Sequence, residues 1–154
     1  MIANLNRSVY LSPEDYLAWE EKQEFRHEYI DGKIYAMTGG TLTHNGIAVN
    51  LVALLRSHLR SKGCKVFVND VKVQVSRNGP YFYPDLVVTC DERDLKSKSL
   101  VRYPCLIIEV LSPSTANYDR GKKFRYYRKL KSLKEYVLIS ADTIGVEYYR
   151  LNAN

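Results

Sequence analysis

Two acidic residues stand in stretches of the sequence that otherwise consist of core residues. Asp85 follows Pro84 at the head of LVVTC, and Glu109 lies inside LIIEVL. An ionised carboxylate buried without a partner is costly, so a sequence that keeps one there usually supplies a cation or hydrogen-bond donors. If the two segments are neighbouring strands, the carboxylates repel each other. A divalent cation is the partner that we expect for them.

Mg²⁺ or Mn²⁺ suits such a pair. Mg²⁺ prefers oxygen ligands and commonly takes one or two carboxylates together with waters and phosphate oxygens. We predict Asp85 and Glu109 as ligands, with the backbone carbonyl of Val110 as a further oxygen. A metal at this position would polarise a phosphoryl oxygen and lower the pKa of a bound water, which phosphodiester hydrolysis requires.

Lys123 is the candidate cation for positioning that water or offsetting the charge on the phosphate. Asp119, Lys123 and Tyr127 are spaced four residues apart, so they share one face of a predicted helix that follows the Glu109 segment. The connection SPSTANY is short enough to return this face to Glu109. A surface pair of Asp119 and Lys123, with Tyr127 in the core, also fits the spacing, and both interpretations stay open.

Hydrophobic periodicity and turn residues predict the elements that position these groups. The predicted elements are a helix from Ser12 past Glu21, a hairpin about Asp31-Gly32, a helix over 45–62 with apolar Ile47, Leu51, Leu54, Leu55 and Leu59, strands over 65–76, 81–90 and 104–112, a helix over 118–131, and strands over EYVLIS and VEYYRL. The strand with Glu109 is apolar on both faces, which is typical of a central strand. We expect one α/β or α+β domain over residues 1–154, with a mixed sheet flanked by helices.

The charge distribution suggests a polyanionic partner. The formal charge is +6, and the stretch from Arg120 to Lys134 contains eight lysines or arginines and no acid. Arg120 and Lys122 could contact backbone phosphates of a nucleic acid. The same run could also be only the solvated face of a helix.

Composition also limits the location and the cofactors. The three cysteines, Cys64, Cys90 and Cys105, lack C-x-x-C spacing, and the first residues lack the apolar segment of a signal peptide. We therefore expect a cytoplasmic protein with free thiols. No apolar run approaches the roughly 20 residues that span a bilayer, so we expect no membrane insertion. Because no phosphate-cradling glycine loop is visible, we expect no organic cofactor.

Six motifs, taken in order, resemble those of the Uma-two family of endonucleases within the PD-(D/E)xK superfamily. They are RHEYIDGKI, LTHNGIAVNLVALL, YPDLVV, IIEVLSPST, DRGKKFRYY and KEYVLI. The resemblance extends from about Leu11 to Leu151. It implies a restriction-endonuclease-like fold and metal-dependent hydrolysis of DNA.

The resemblance also implies roles for individual residues. Asp85 and Glu109 match the metal ligands, and Glu28 matches an N-terminal acid that binds the metal directly or through water. The superfamily usually has a lysine two residues after the second acid, where this sequence has Leu111. Lys123 matches the family's helix lysine, which resembles a replacement for the lysine that is missing at position 111.

Three further residues match family motifs. Tyr127 follows the helix lysine by one turn, and His44 opens the long helix, where it could contact a phosphate or serve structurally. Ser112 could act in catalysis, or it could bond locally ahead of the next helix.

Two other functions remain open in the sequence. A nucleic-acid-binding module with little or no catalysis would explain the missing lysine at position 111. A structural or protein-interaction subunit would have a basic helix that is merely solvated, and it would bind neither divalent metal nor nucleic acid. Cutting both strands of DNA would favour a homodimer, for which VEYYRL is a candidate interface.

Overall fold

The computed structural model describes residues 10–152. It is a mixed α+β structure in which several helices accompany two mixed five-stranded sheets. The α+β class with a mixed sheet core flanked by helices is thus confirmed. The strands, however, divide between two sheets, whereas the sequence suggested one.

The helices are mostly short. They are α1 (Pro13–Glu20), α2 (Leu42–Leu59), α3 (Glu92–Leu95), α4 (Ala116–Tyr118) and α5 (Phe124–Tyr127), with a 3₁₀ turn at Arg60–Lys62 and a π-helical segment at Asp119–Lys123. None of the helices in the part of the chain that the structure describes has the length and apolar character needed to cross a bilayer.

The strands alternate with these helices along the chain. They are β1 (His27–Ile30), β2 (Lys33–Ala36), β3 (Lys65–Val68), β4 (Lys72–Gln74), β5 (Tyr81–Phe82), β6 (Leu86–Thr89), β7 (Leu100–Val101), β8 (Leu106–Leu111), β9 (Glu135–Ser140) and β10 (Val146–Arg150). The first sheet has the order β2-β1-β5-β4-β7, and the second has the order β10-β9-β8-β6-β3.

The predicted hairpin is confirmed. Strands β1 and β2 pair antiparallel, with Ile30 opposite Lys33. Asp31 and Gly32 between them have φ of 49° and 84°. A two-residue turn with positive φ at both positions matches the twist of the strands that it joins, and Asp-Gly adopts it readily.

The two long helices differ from their predicted bounds. Helix α1 ends at Glu20, short of the predicted continuation past Glu21. Helix α2 begins at Leu42, three residues before the predicted start, because the side chain of Thr41 accepts a hydrogen bond from the His44 amide as N-cap. Leu54 does not belong to the buried face of α2, since it is 70% exposed.

The predicted strand over 65–76 is wrong as a single element. The backbone turns at Asn69, where φ is 49°, so that β3 joins the second sheet and β4 the first. The alternation predicts a half-exposed strand with an irregularity near Asn69-Asp70, and the two sheets divide at this point.

The prediction of three free thiols is also wrong, because Cys64 and Cys90 form a disulfide. The register of the sheet explains the pairing. Lys65 lies opposite Thr89 in the antiparallel β3–β6 ladder, so the two cysteines just outside the ladder face each other. Cys105 keeps a free thiol.

Strand β8 is the central strand of the second sheet, and it is covered on both faces as predicted. On one face, Ile107 and Leu111 pack with Tyr127 and Tyr136. On the other, Ile108 packs with Leu86 and with Ala48 of α2. The strand that contains Glu109 is therefore fixed from both sides.

Candidate active site

Asp85 and Glu109 lie side by side because their strands are neighbours. Strands β6 and β8 pair antiparallel, with Leu86 opposite Ile108. The Asp85 amide donates to Glu109 Oε2 at 3.2 Å, and the Val110 amide donates to Asp85 Oδ2 at 2.7 Å. Each carboxylate is thus held by the backbone next to the other, which fixes both in position.

Lys123 is the cation that meets Glu109 in this structure. Its Nζ lies 2.8 Å from Glu109 Oε1 and 3.2 Å from Glu28 Oε1. Glu28 comes from β1 of the first sheet, and its Oε1 also accepts a hydrogen bond from the Tyr83 amide at 3.1 Å. Lys123 therefore joins carboxylates from both sheets.

The segment after β8 directs Lys123 inward. Asp119 and Lys123 bound the π-helical segment, and both are buried, so the alternative of a surface pair is wrong. Tyr127, one turn further on, is fully buried and donates from its hydroxyl to Glu109 Oε1 at 3.2 Å. Lys123 and Tyr127 therefore meet the same carboxylate oxygen.

The start of helix α2 brings His44 to the same place. Its Nε2 lies 3.3 Å from Asp85 Oδ2. This hydrogen bond is the main reason that the pKa of His44 is raised above its ordinary value. The Ser112 hydroxyl forms hydrogen bonds with the hydroxyls of Ser114 and Thr115, which supports its local structural role.

Burial and charge act on the carboxylates in opposite directions. Burial raises the pKa of Glu109 well above its usual range, although Lys123 partly offsets this. Burial likewise raises the pKa of Asp119 to about 6. Burial is also the largest influence on Asp85, but the hydrogen bond and charge of His44, the Val110 amide and Lys123 together outweigh it and lower the pKa of that carboxyl.

Lys123 remains protonated at neutral pH. Burial alone would favour the neutral amine, but the carboxylates of Glu109 and Glu28 reverse this and raise the pKa of Lys123 well above its ordinary value. A permanently charged ammonium can donate hydrogen bonds and stabilise negative charge, but it cannot take up a proton.

Sequence reasoning missed Tyr118 in this cluster. Its hydroxyl is the one buried side-chain oxygen or nitrogen without a hydrogen-bond partner among residues 10–152. Burial first, and then the nearby Glu28 carboxylate, raise its pKa. Its place directly before Asp119 was the available signal, but a tyrosine in a helix is ordinarily a core residue.

The two other predicted contact residues lie outside the buried cluster. Arg120 pairs with Glu147 on β10, with Nη2 2.6 Å from Oε1. Lys122 is exposed. Their predicted role at phosphates stays a prediction.

A divalent cation fits the charges of the cluster. Glu28, Asp85, Glu109 and Asp119 bring carboxylates together. The pKa values of Glu109 and Asp119 are raised first by burial and then by neighbouring carboxylates, and Lys123 opposes both effects. Within the described ranges, no three His, Cys, Asp or Glu residues are grouped so that they could hold a metal ion. A metal would therefore rely on two carboxylates, Asp85 and Glu109, completed by other oxygens.

Comparisons with known proteins identify the family of the chain. Residues 13–154 match the model of the Uma2 family, which is described as "Putative restriction endonuclease". Two proteins of Synechocystis sp. (strain ATCC 27184 / PCC 6803 / Kazusa) are similar, and both are called uncharacterized. The protein slr1290 is 48% identical over 142 residues, which is 92% of this chain and 75% of that protein. The protein sll1609 is 35% identical over 142 residues, which is 91% of this chain and 80% of that protein.

A solved structure shares the fold. It is the crystal structure of a putative nuclease belonging to DUF820 from Anabaena variabilis ATCC 29413, with a TM-score of 0.78 and 20% identity. The match covers 94% of this chain and 82% of the other. The resemblance drawn from the six motifs is thus confirmed: the chain belongs to the Uma2 family of putative restriction endonucleases.

Proposed function

We propose that the protein is a metal-dependent endonuclease that hydrolyses phosphodiesters of the DNA backbone with Mg²⁺ or Mn²⁺. The observation that supports this most is the pairing of Asp85 and Glu109 on adjacent strands, with the Lys123 ammonium 2.8 Å from Glu109. Family membership supports a nuclease, whereas the choice of DNA and of metal is part of the proposal.

Each residue of the cluster has a role in this proposal. Asp85 and Glu109 hold the metal, with the Val110 carbonyl as a further oxygen, and Glu28 acts on it directly or through water. When bound, the metal supplies a polarised phosphoryl oxygen and a more acidic water.

The surrounding side chains act on the substrate and on the carboxylates. The Lys123 ammonium offsets negative charge that develops on the phosphate as water attacks and the sugar oxygen leaves. Tyr127 fixes the Glu109 carboxylate through its hydroxyl. His44 holds Asp85, and its raised pKa favours the cationic form that a phosphate would meet. Arg120 and Lys122 contact flanking phosphates.

Cleavage of both strands would require two such sites, so we propose a homodimer. Strand β10 forms an edge of the second sheet, and Val146 and Tyr148 are 65% and 51% exposed there. An exposed apolar edge strand readily pairs with a second copy. Light scattering should report a dimer, and Val146→Lys should shift it to the monomer. A wild-type monomer would contradict this part.

The activity is tested with purified protein on supercoiled and linear DNA, with Mg²⁺, with Mn²⁺ and with a chelator. We expect cleavage with metal only. Glu109→Gln keeps the shape but removes the charge, and it should lower the rate at least roughly 100-fold. Glu92→Gln is the matched control, because Glu92 is an exposed acid on α3 that pairs with Lys96.

Three outcomes would contradict the proposal. Equal cleavage by Glu109→Gln and the wild type would place the chemistry elsewhere. Cleavage of RNA but not of DNA would overturn the substrate. Salt-sensitive DNA binding without cleavage under any metal condition would instead favour the binding module.

A further inference from the structure

A second concave region lies outside the carboxylate cluster. It has a volume of about 330 Å³ and lies between the end of α1, the start of β4 and the loop that follows α3. Its lining includes Arg26, Lys72, Tyr83, Ser97 and Lys98. A cavity of this size can enclose a small polar ligand.

Lys72 is the unusual residue of this cavity. Lys72 is 8% exposed, yet its side-chain ammonium makes no hydrogen bond and no ion pair with any residue in the described part of the chain. Its ammonium lies 5.8 Å from the centre of the Tyr83 ring. Burial lowers the pKa of Lys72, although Glu20 and Glu21 oppose this.

The Lys72 ammonium also keeps access to the cavity. Among residues 10–152, the Tyr118 hydroxyl is the one fully enclosed side-chain polar atom without a partner. The Lys72 ammonium has no partner either, so it is not fully enclosed, and the cavity that it lines is the space it can reach. An oxygen ligand there would complete its hydrogen bonds.

The buried acids of the cavity are already satisfied from within the protein. Glu20 accepts from the His27 amide and from the Tyr83 hydroxyl. Asp94 accepts from Thr89 and from the backbone of Arg102 and Tyr103.

The groups at the rim differ in sign. Asp70 pairs with Arg26, with Oδ1 3.4 Å from Nε, and Glu21 adds an exposed acid. Three charged side chains of the cavity have no hydrogen bond and no ion pair within the described residues: Glu21, Lys72 and Lys98. Two of these three are hydrogen-bond donors.

From these observations we infer that the cavity is a phosphate-binding subsite in which Lys72 contacts a phosphate oxygen and Lys98 contributes charge at the rim. Lysine is a common binder of phosphate as a compact charge. Tyr83 separates this subsite from the candidate active site, because its ring lines the cavity while its amide binds Glu28. The phosphate could be a free anion, a terminal phosphate or an internal phosphate of a nucleic-acid strand.

The test is calorimetric titration with a chelator present and at constant ionic strength, so that no cleavage is needed. The ligands are inorganic phosphate and one single-stranded oligonucleotide with and without a 5′-phosphate. We expect Lys72→Met to weaken binding about tenfold for the ligand that fills the subsite, since a hydrogen bond to a charged group is lost. Lys96→Met is the control, because it removes the same charge from an exposed lysine that pairs with Glu92.

A second variant guards against a folding defect in Lys72→Met. Lys98 is exposed, so Lys98→Met should fold normally and weaken binding by a smaller factor. Loss for inorganic phosphate alone identifies a free anion, loss for the 5′-phosphorylated strand alone identifies a terminal phosphate, and loss for both strands identifies the backbone. Binding of every ligand that is equal in Lys72→Met, Lys98→Met and Lys96→Met, or no binding by the wild type, would overturn the inference. Neither result would bear on cleavage at Glu109.

Discussion

Two buried lysines, Lys123 and Lys72, differ in whether carboxylates of the protein surround the ammonium. Lys123 is 4% exposed and has two carboxylate oxygens within 3.2 Å, and they raise its pKa. Lys72 is 8% exposed and has no such partner among residues 10–152, and burial lowers its pKa. The same side chain is therefore satisfied within the fold in one place, whereas in the other its ammonium opens into a cavity.

Lys123 thus forms ion pairs within the protein, whereas Lys72 is available to bind a ligand. A buried ion pair is costly to break, because removing one partner leaves the other charged and alone. A buried cation without a partner costs stability until a ligand supplies the missing oxygen, and function is the usual reason to keep it. Four substitutions or conditions test this difference.

The largest effect is expected for Lys123→Met. The change leaves Glu28 and Glu109 buried without their cation, so we expect a loss of about 3–5 kcal/mol in the free energy of unfolding. Urea denaturation at neutral pH measures it. A loss no greater than that of Lys72→Met would break the comparison.

The stability of the protein should depend on pH because carboxylates outnumber the single ammonium around Lys123. The pKa of Asp119 is raised from 3.8 to about 6, mainly by burial, so the folded protein binds that proton more tightly than the unfolded chain. The stabilisation is complete below about pH 4 and is lost as the pH rises to about 6, by roughly 3 kcal/mol. Urea midpoints between these pH values should fall. Asp119→Asn should make the fall smaller without abolishing it, because the raised pKa of Glu109 acts in the same direction. A rise in stability over this range that Asp119→Asn abolishes would contradict the prediction.

Tyr127→Phe probes the neutral donor of the same carboxylate. The change keeps the ring but deletes the hydrogen bond to Glu109 Oε1. We expect a loss of about 1 kcal/mol in the free energy of unfolding, because Lys123 still holds the oxygen. Tyr126→Phe is the control, since its hydroxyl donates a hydrogen bond to the exposed Asp31. Equal losses for the two variants would show that burial does not matter here.

The smallest effect is expected for Lys72→Met in the absence of ligand. The change removes a buried charge that has no partner in the described residues, so stability should change by less than about 1 kcal/mol or rise. Thermal unfolding measures it. A loss of several kcal/mol would mean that Lys72 is structurally satisfied, and the comparison would fail.

The sequence predicted the local parts of the candidate site well. The adjacency of Asp85 and Glu109 follows from two consecutive apolar strands, and both the pairing and the double burial of β8 were accessible from pattern alone. The inward face of Lys123 and Tyr127 was one of two interpretations that spacing allowed. Only tertiary packing could decide between them, because the spacing of residues on a helix face does not reveal which other elements pack against it.

The parts that depend on distant contacts were not predictable. The irregularity near Asn69-Asp70 was visible in the sequence, but the pairing of β3 and β4 with different sheets depends on their distant partner strands. The disulfide likewise depends on the register of β3 against β6. Lys72 appeared as an ordinary polar position in an alternating strand. Its burial arises from α1 and from the loop after α3, which are far away in the sequence.

The π-helical segment at Asp119–Lys123 has a further consequence for the geometry of the whole helical stretch. Each residue of an α-helix turns the chain by about 100°, so the wider turn of a π-helix changes the phase between α4 and α5. Removal of Gly121 would let the segment close into an α-helix, and Asp119 would then rotate away from the face that presents Lys123. The position of the lysine is thus set by the number of residues in a turn as much as by their identity, so a one-residue deletion here should be more harmful than most substitutions.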